Sequence, residues 1–208
     1  IDGHDINNDG HVEIDNNQIV FIELLERKQR GDSVKLGLVR NGATTSLTVP
    51  LNWEPDPFAF RIQYDQLPEY FMYGGLVFTP LTRNYVHSTG SGGMNRNKQQ
   101  LIYFMQNAKQ DNLYKGRDEF IVLSRRLPHP VNTYAGEFVE GIVSEINGNR
   151  IGNLDDARNA FQKPVNGFHT VRFASMHDFL VMEADAAEKA TSVIANKYEI
   201  HAVSNIKP

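Results

Sequence analysis

The stretch Ile146-Asn147-Gly148-Asn149-Arg150-Ile151 has a counterpart at the start of the chain, Ile1-Asp2-Gly3-His4-Asp5-Ile6. Each places isoleucine before an Asx-Gly pair and ends on isoleucine. Asx-Gly tolerates the positive φ angles of a tight turn. Each is followed by a predicted helix, over residues 154–161 in one case and 17–29 in the other, and then by a two-stranded hairpin. One supersecondary unit therefore recurs within 208 residues. The first copy lacks the strands that open the second.

Outward from these turns, the clearest hairpin is in the first copy. Residues 33–40 and 43–49 alternate apolar and polar side chains around Asn41-Gly42. The stretch 17–29 carries Ile19, Phe21, Ile22, Leu24 and Leu25 and runs into Lys28, Arg30 and Gly31. Cations followed by glycine are a helix stop. Pro50, Pro55, Pro57 and Pro68, with Trp53, Phe58 and Phe60, predict an ordered, extended connector over 53–69.

A second unit begins near Tyr70. It reads as an apolar strand over 75–80 after Gly74, a Gly/Ser/Asn-rich loop over 87–97 and a helix over 98–109. Buried strands follow over 120–124 and 138–146, then the short helix 154–161. A hairpin of 170–173 with 179–182 precedes an Ala-rich closing helix over 183–196. The predicted class is α+β, with small, partly open β-barrels capped by helices. Residues 1–52 form the truncated copy, 53–69 a linker and 70–208 an elaborated second domain.

Composition narrows the function. The apolar fraction of 40% is enough for compact cores. A net charge of −4 without a dense Lys/Arg run argues against nucleic acid as a partner. Arg125-Arg126 and the Lys28/Arg30 pair read as solvated surface. With no cysteine in the chain, thiol catalysis, disulfides and cysteine-based zinc sites are excluded. No apolar run approaches the roughly 18 residues of a membrane span. The chain opens on Ile1 in what reads as mid-strand, so a fragment is expected.

A strand ending in Ile-Asx-Gly, a helix and then a hairpin resembles the second half of a PDZ domain. Two in tandem resemble the C-terminal region of the Deg/HtrA-type serine proteases. The resemblance is carried by Gly74-Gly75-Leu76-Val77-Phe78-Thr79-Pro80-Leu81-Thr82, by Val122-Leu123-Ser124 and by His129-Pro130-Val131-Asn132. It extends to Lys197-Tyr198 near the end, and to Ile1-Asp2-Gly3 with Asn8-Asp9-Gly10 in the first copy. It resembles the plant Deg-like branch and its bacterial relatives. The family's Gly-Asn-Ser-Gly-Gly protease segment and the opening of the first PDZ domain are not in the chain. The resemblance therefore implies regulation, oligomer assembly and peptide recognition, not hydrolysis by this chain. It implies protein C-termini or neighbouring subunits as partners, a homo-oligomeric parent and a periplasmic or other extracytoplasmic compartment. The alternative is a stand-alone PDZ peptide-binding protein.

Three stretches imitate chemistry. Thr89-Gly90-Ser91-Gly92-Gly93 evokes a nucleophile loop, but Ser91 has only His87, four residues away, as a local base. It reads as a loop, and no catalytic residue is assigned. Asp5-Ile6-Asn7-Asn8-Asp9-Gly10 copies the start of a calcium loop, yet Asn16 stands where a bidentate glutamate is wanted. The seven histidines include no His-x-x-x-His pair. No metal or cofactor is expected.

The stretch Tyr73 to Phe78 carries the physical claim. In PDZ domains a glycine loop aims backbone N–H groups at a peptide carboxylate, and the next strand pairs with the peptide. The candidate peptide-binding residues are Gly74, Gly75, Leu76, Val77 and Phe78. Ala157, Ala160 and Phe161 line the helical wall. Val77 stands where the common Gly-Leu-Gly-Phe loop has glycine. The groove is either open to peptide or closed by the protein's own chain.

Overall fold

Asp2 and Gly3 take φ of 47° and 91°, and Asn147 and Gly148 take 52° and 75°, so both quoted stretches are left-handed turns. The two turns belong to different compact units of the computed structural model, Ile1–Pro55 and Asp56–Pro208. Residues 1–29, 31–52, 62–90, 93 and 95–206 are described. Trp53, Phe58, Phe60, Ser91 and Arg30 fall outside them.

In the first unit, Asn7 Oδ1 accepts the amides of Asp9 and His11 at 3.0 and 2.8 Å. The calcium-like stretch thus begins as a locally bonded Asx turn. β1 (His11–Ile14) pairs antiparallel with β2 (Asn17–Val20). The helix expected over 17–29 is therefore corrected: its first four residues are strand, and α1 spans only Ile22–Glu26. The cause is Asp15-Asn16, which both take positive φ (51° and 62°) and close a two-residue hairpin turn. β3 (Ser33–Arg40) and β4 (Ala43–Pro50) form the expected hairpin around Asn41-Gly42. Among the described residues of this unit, only Ile1, Val12 and Val34 are buried.

In the second unit β5 (Tyr70–Tyr73) and β6 (Leu76–Pro80) are followed by two helices, α2 (Arg83–Ser88) and α3 (Arg96–Asn107). Thr82 Oγ1 and Asn95 Oδ1 cap them by accepting the amides of Tyr85 and Lys98. α2 was not foreseen, and the loop expected over 87–97 gives His87 and Ser88 to α2 and its last two residues to α3. β7 (Ile121–Arg126) precedes a 3-10 segment, Pro130–Phe138. β8 (Val143–Ile146) starts five residues later than the strand expected over 138–146. Phe138 ends the 3-10 segment, and Glu140 at φ 67° breaks the extended path.

β9 (Asn149–Arg150), α4 (Leu154–Ala160), β10 (Phe168–Phe173), β11 (Phe179–Glu183), α5 (Ala184–Lys197) and β12 (Ser204–Asn205) complete the unit. Its strands form two open four-stranded sheets, β12-β5-β6-β7 and β11-β10-β8-β9. The main core holds Leu76, Phe78, Ile121, Leu123, Val143, Ile146, Leu154, Phe161, Val171 and Phe173. Each such side chain contributes ~1.5–3 kcal/mol by leaving water. A second cluster, with Leu81, Leu101, Phe104 and Phe120, roots α3 on the sheet. Met72, Ala190 and Ile194 seat α5.

Candidate functional site

α4 forms one wall of the expected groove. Asn153 caps it, its Oδ1 accepting the Asp156 amide at 2.8 Å, and Asp155 and Asp156 sit in the first turn, where carboxylates complement the helix end. Its inward face is Leu154, Ala157 and Ala160, with Phe161 just beyond. The alanines are small enough to let strands approach closely. Leu76 and Phe78 of β6 and Ala157, Ala160 and Phe161 are all buried in the main core cluster. The structure thus brings most of the candidate residues together. Val77 faces the other side of the sheet, as strand alternation requires, and packs with the α5 cluster.

The place beside β6 is filled. β5 runs antiparallel along one edge with Phe71↔Phe78 and Tyr73↔Leu76, and β7 occupies the other. Strand addition to β6 therefore has no free edge to use. The rings of β5 fill the space against α4. Tyr73 stacks on Phe161 with centroids 4.7 Å apart, and Phe71 lies 5.9 Å from the same ring.

Gly74 and Gly75 are the two-residue turn of that hairpin, at φ 56° and 79°. Three of their backbone polar groups are bonded within the unit. The Gly74 amide donates to Thr191 Oγ1 at 2.8 Å, and its carbonyl accepts Asn132 Nδ2 at 2.8 Å. The Gly75 carbonyl accepts the Leu127 amide at 2.7 Å. A Cβ at Gly75 would meet Leu127 O at 2.7 Å and Ile194 Cδ1 at 2.8 Å.

A buried polar chain, missed in the sequence, ties this hairpin to the Asn147 turn. Asn147 Nδ2 shares its two hydrogens among Ala160 O, Lys163 O and His169 Nδ1, the last at 2.9 Å. The amide has no lone pair to offer there, so Nδ1 is the acceptor and Nε2 carries the proton. Nε2–H then donates to the Tyr73 hydroxyl at 3.0 Å, and Tyr73 donates to Ala184 O at 3.2 Å. Burial lowers the His169 pKa, and Glu188 opposes this. His169 was one of seven scattered histidines; its alternation with Val171 and Phe173, which puts it on the buried face of β10, was the available signal.

Glu119 lies at the start of α4. Burial and the charge of Glu69 push its carboxyl up to about 7, against a hydrogen bond from the Leu154 amide. Among the described residues no group of three His, Asp or Glu side chains is placed to hold a metal ion. No helix among them is long and apolar enough to cross a membrane.

Comparison with known proteins agrees with this geometry. A family profile described as PDZ domain matches residues 61–205. The chain is 32% identical over 155 residues to the serine protease DegP homolog of Plasmodium falciparum, covering 74% of this chain and 17% of that protein. It is 26% identical over 202 residues to the mitochondrial Do-like protease 3 of Arabidopsis thaliana, covering 96% of this chain and 33% of the relative. Do-like protease 11 of the same plant is 24% identical over 204 residues, covering 98% and 31%. The chain spans about a third or less of these relatives.

Proposed function

Because the chain belongs to the PDZ-domain family and resembles Deg-type proteases over most of its length, we propose that it is the non-catalytic tail of such a protease, acting in regulation and oligomer assembly. The observation that carries this reading is β5. It lies antiparallel to β6 and packs its rings against α4, the position a peptide takes in a PDZ groove. A groove filled by its own chain serves better as a rigid docking body for a neighbouring subunit than as an open substrate receptor. Gly74 to Phe78 and Ala157, Ala160 and Phe161 then work as the inner wall of that body. The Arabidopsis relatives are named mitochondrial, which supports an organellar compartment.

The test is the assembly state of the parent protein by light scattering, with and without residues 70–208. Loss of the oligomer on deletion is the expected result; unchanged assembly overturns the proposal. Titration of this chain with a C-terminal peptide library should leave the Ala157 and Phe161 amide resonances unmoved. For the Ser91 loop, a fluorophosphonate should label nothing, and labelling lost in Ser91→Ala would assign catalysis to the chain.

A further inference from the structure

The face of the second unit's sheet that carries Val77 holds a separate hollow of about 450 Å³. That is within the roughly 300–1,000 Å³ of small-ligand sites. Val77 and Thr79 of β6, Arg125 of β7, Tyr85 of α2 and Pro68 line it. Leu76 and Phe78 point the other way, into the core with α4, so this hollow and the filled groove lie on opposite sides of one strand.

Its polar groups divide into used and unused. Ser124 Oγ donates to Val77 O, Ser88 Oγ to Tyr85 O, and Asn84 exchanges two bonds with Gln63. Thr79 Oγ1, by contrast, is buried with no hydrogen-bond partner among the described residues. Such an orphan costs about 1–3 kcal/mol and calls for a reason. Neither the Tyr85 hydroxyl nor the Arg125 guanidinium has a hydrogen bond or ion pair among the described residues. Burial and Glu140 raise the Tyr85 pKa while Arg125 draws it down; the net rise keeps the hydroxyl protonated and able to donate.

Two hydroxyl donors and a guanidinium beside Val77 and Pro68 match an anion with a short aliphatic body. A cation would face Arg125, and a purely apolar ligand would leave all three polar groups unmatched. Glu69 also lines the hollow, which disfavours a multiply charged anion and leaves a single carboxylate as the best fit. We propose that this hollow receives a carboxylate-bearing ligand, paired with Arg125 and hydrogen-bonded by Thr79 and Tyr85. A peptide C-terminus and a free aliphatic acid share this chemistry.

The test is a resonance titration of the 208-residue chain with three probes: 4-methylpentanoate, acetyl-Ala-Ala-Val with a free C-terminus, and its amide. The acids should shift the Thr79 and Arg125 amides, and the amidated peptide should not. Arg125→Ala and Tyr85→Phe should each weaken binding about tenfold or more, a charge-assisted hydrogen bond's worth, with unchanged circular dichroism. Arg125 is exposed, so its loss leaves the fold intact. Binding of both acids assigns a peptide C-terminus; binding of 4-methylpentanoate alone assigns a small acid. The proposal fails if neither acid moves these amides, if the amidated peptide binds as well, or if Arg125→Ala binds like the wild type. Shifts at Ala157 and Phe161 instead would also overturn the filled-groove reading; silence at both places would leave that reading standing.

Discussion

The turns at Asp2 and Asn147 make the same backbone clamp, in very different surroundings. Asp2 N donates to Lys35 O and its Oδ1 accepts the Lys35 amide; Asn147 N donates to Thr170 O and its Oδ1 accepts the Thr170 amide. In each case the partner is the third residue of the hairpin's first strand. The remaining side-chain atom reaches the chain following the helix in one copy and the helix end in the other. Asp2 Oδ2 pairs with the Lys28 ammonium at 2.7 Å, while Asn147 Nδ2 donates to Ala160 O and Lys163 O at 2.8 and 3.0 Å. A repeated frame thus closes by charge at an exposed turn and by neutral amide bonds beside a buried histidine. One frame tolerates both because the strand clamp uses only the backbone and one acceptor oxygen.

The largest expected effect tests how tightly each copy's glycine turn is enclosed. Gly75→Ala must adopt φ 79° with backbone 2.7 Å from its new carbon, and should cost about 4 kcal/mol or unfold the second unit. Gly42→Ala, with nothing within 4 Å, should cost about 1 kcal/mol from its φ alone. Denaturant titration followed by unit-resolved hydrogen exchange separates the two.

Next comes an exchange of closures. Asn147→Asp gives the second copy the first copy's carboxylate, which cannot donate to Ala160, Lys163 or His169. A loss of about 3 kcal/mol at neutral pH is expected by urea unfolding, with a rise in the His169 pKa readable by proton resonance. Asp2→Asn, the converse, loses only the Lys28 pair and should barely move the midpoint.

Between these lies Glu119. Its folded carboxyl, pushed from 4.5 to about 7, holds its proton more tightly than the unfolded chain does. Its stabilising contribution is full below pH 4.5 and is lost as pH rises through about 7. Glu119→Gln should therefore gain about 1 kcal/mol at pH 8 and nothing near pH 4, after allowing for the group's partial exposure. His169 acts in the opposite direction. Burial holds it below 6.5, so folded stability falls as pH drops below that value, and His169→Gln should flatten that limb of the profile.

The parts of the fold legible in the sequence are those fixed by local chemistry. Asn41-Gly42 and the Ala-rich α5 declare themselves because turn dihedrals and helix propensity act over a few residues. Residues 17–29 misled because Phe21, Ile22, Leu24 and Leu25 fit a helical face, while the deciding residues, Asp15-Asn16, lie just upstream. The site was half legible. That Leu76, Phe78, Ala157 and Phe161 converge followed from the order of elements. That β5 fills the space between them did not, since strand pairing joins residues by register and not by composition. The Asn147–His169–Tyr73 chain spans residues distant in sequence, and no spacing rule reaches it.

The β5–β6 hairpin also has a kinetic and competitive meaning. Its two-residue turn tethers a resident strand at an effective concentration of about a millimolar or more. A free peptide of equal intrinsic affinity would need to reach that level to hold half of the molecules. It would also have to displace the partnership of β5 with β12, where the Met72 amide is held by Val203 O at 2.8 Å. On the filled-groove reading proposed above, the resident strand wins at ordinary cellular peptide levels, held by proximity and by its pairing with β12.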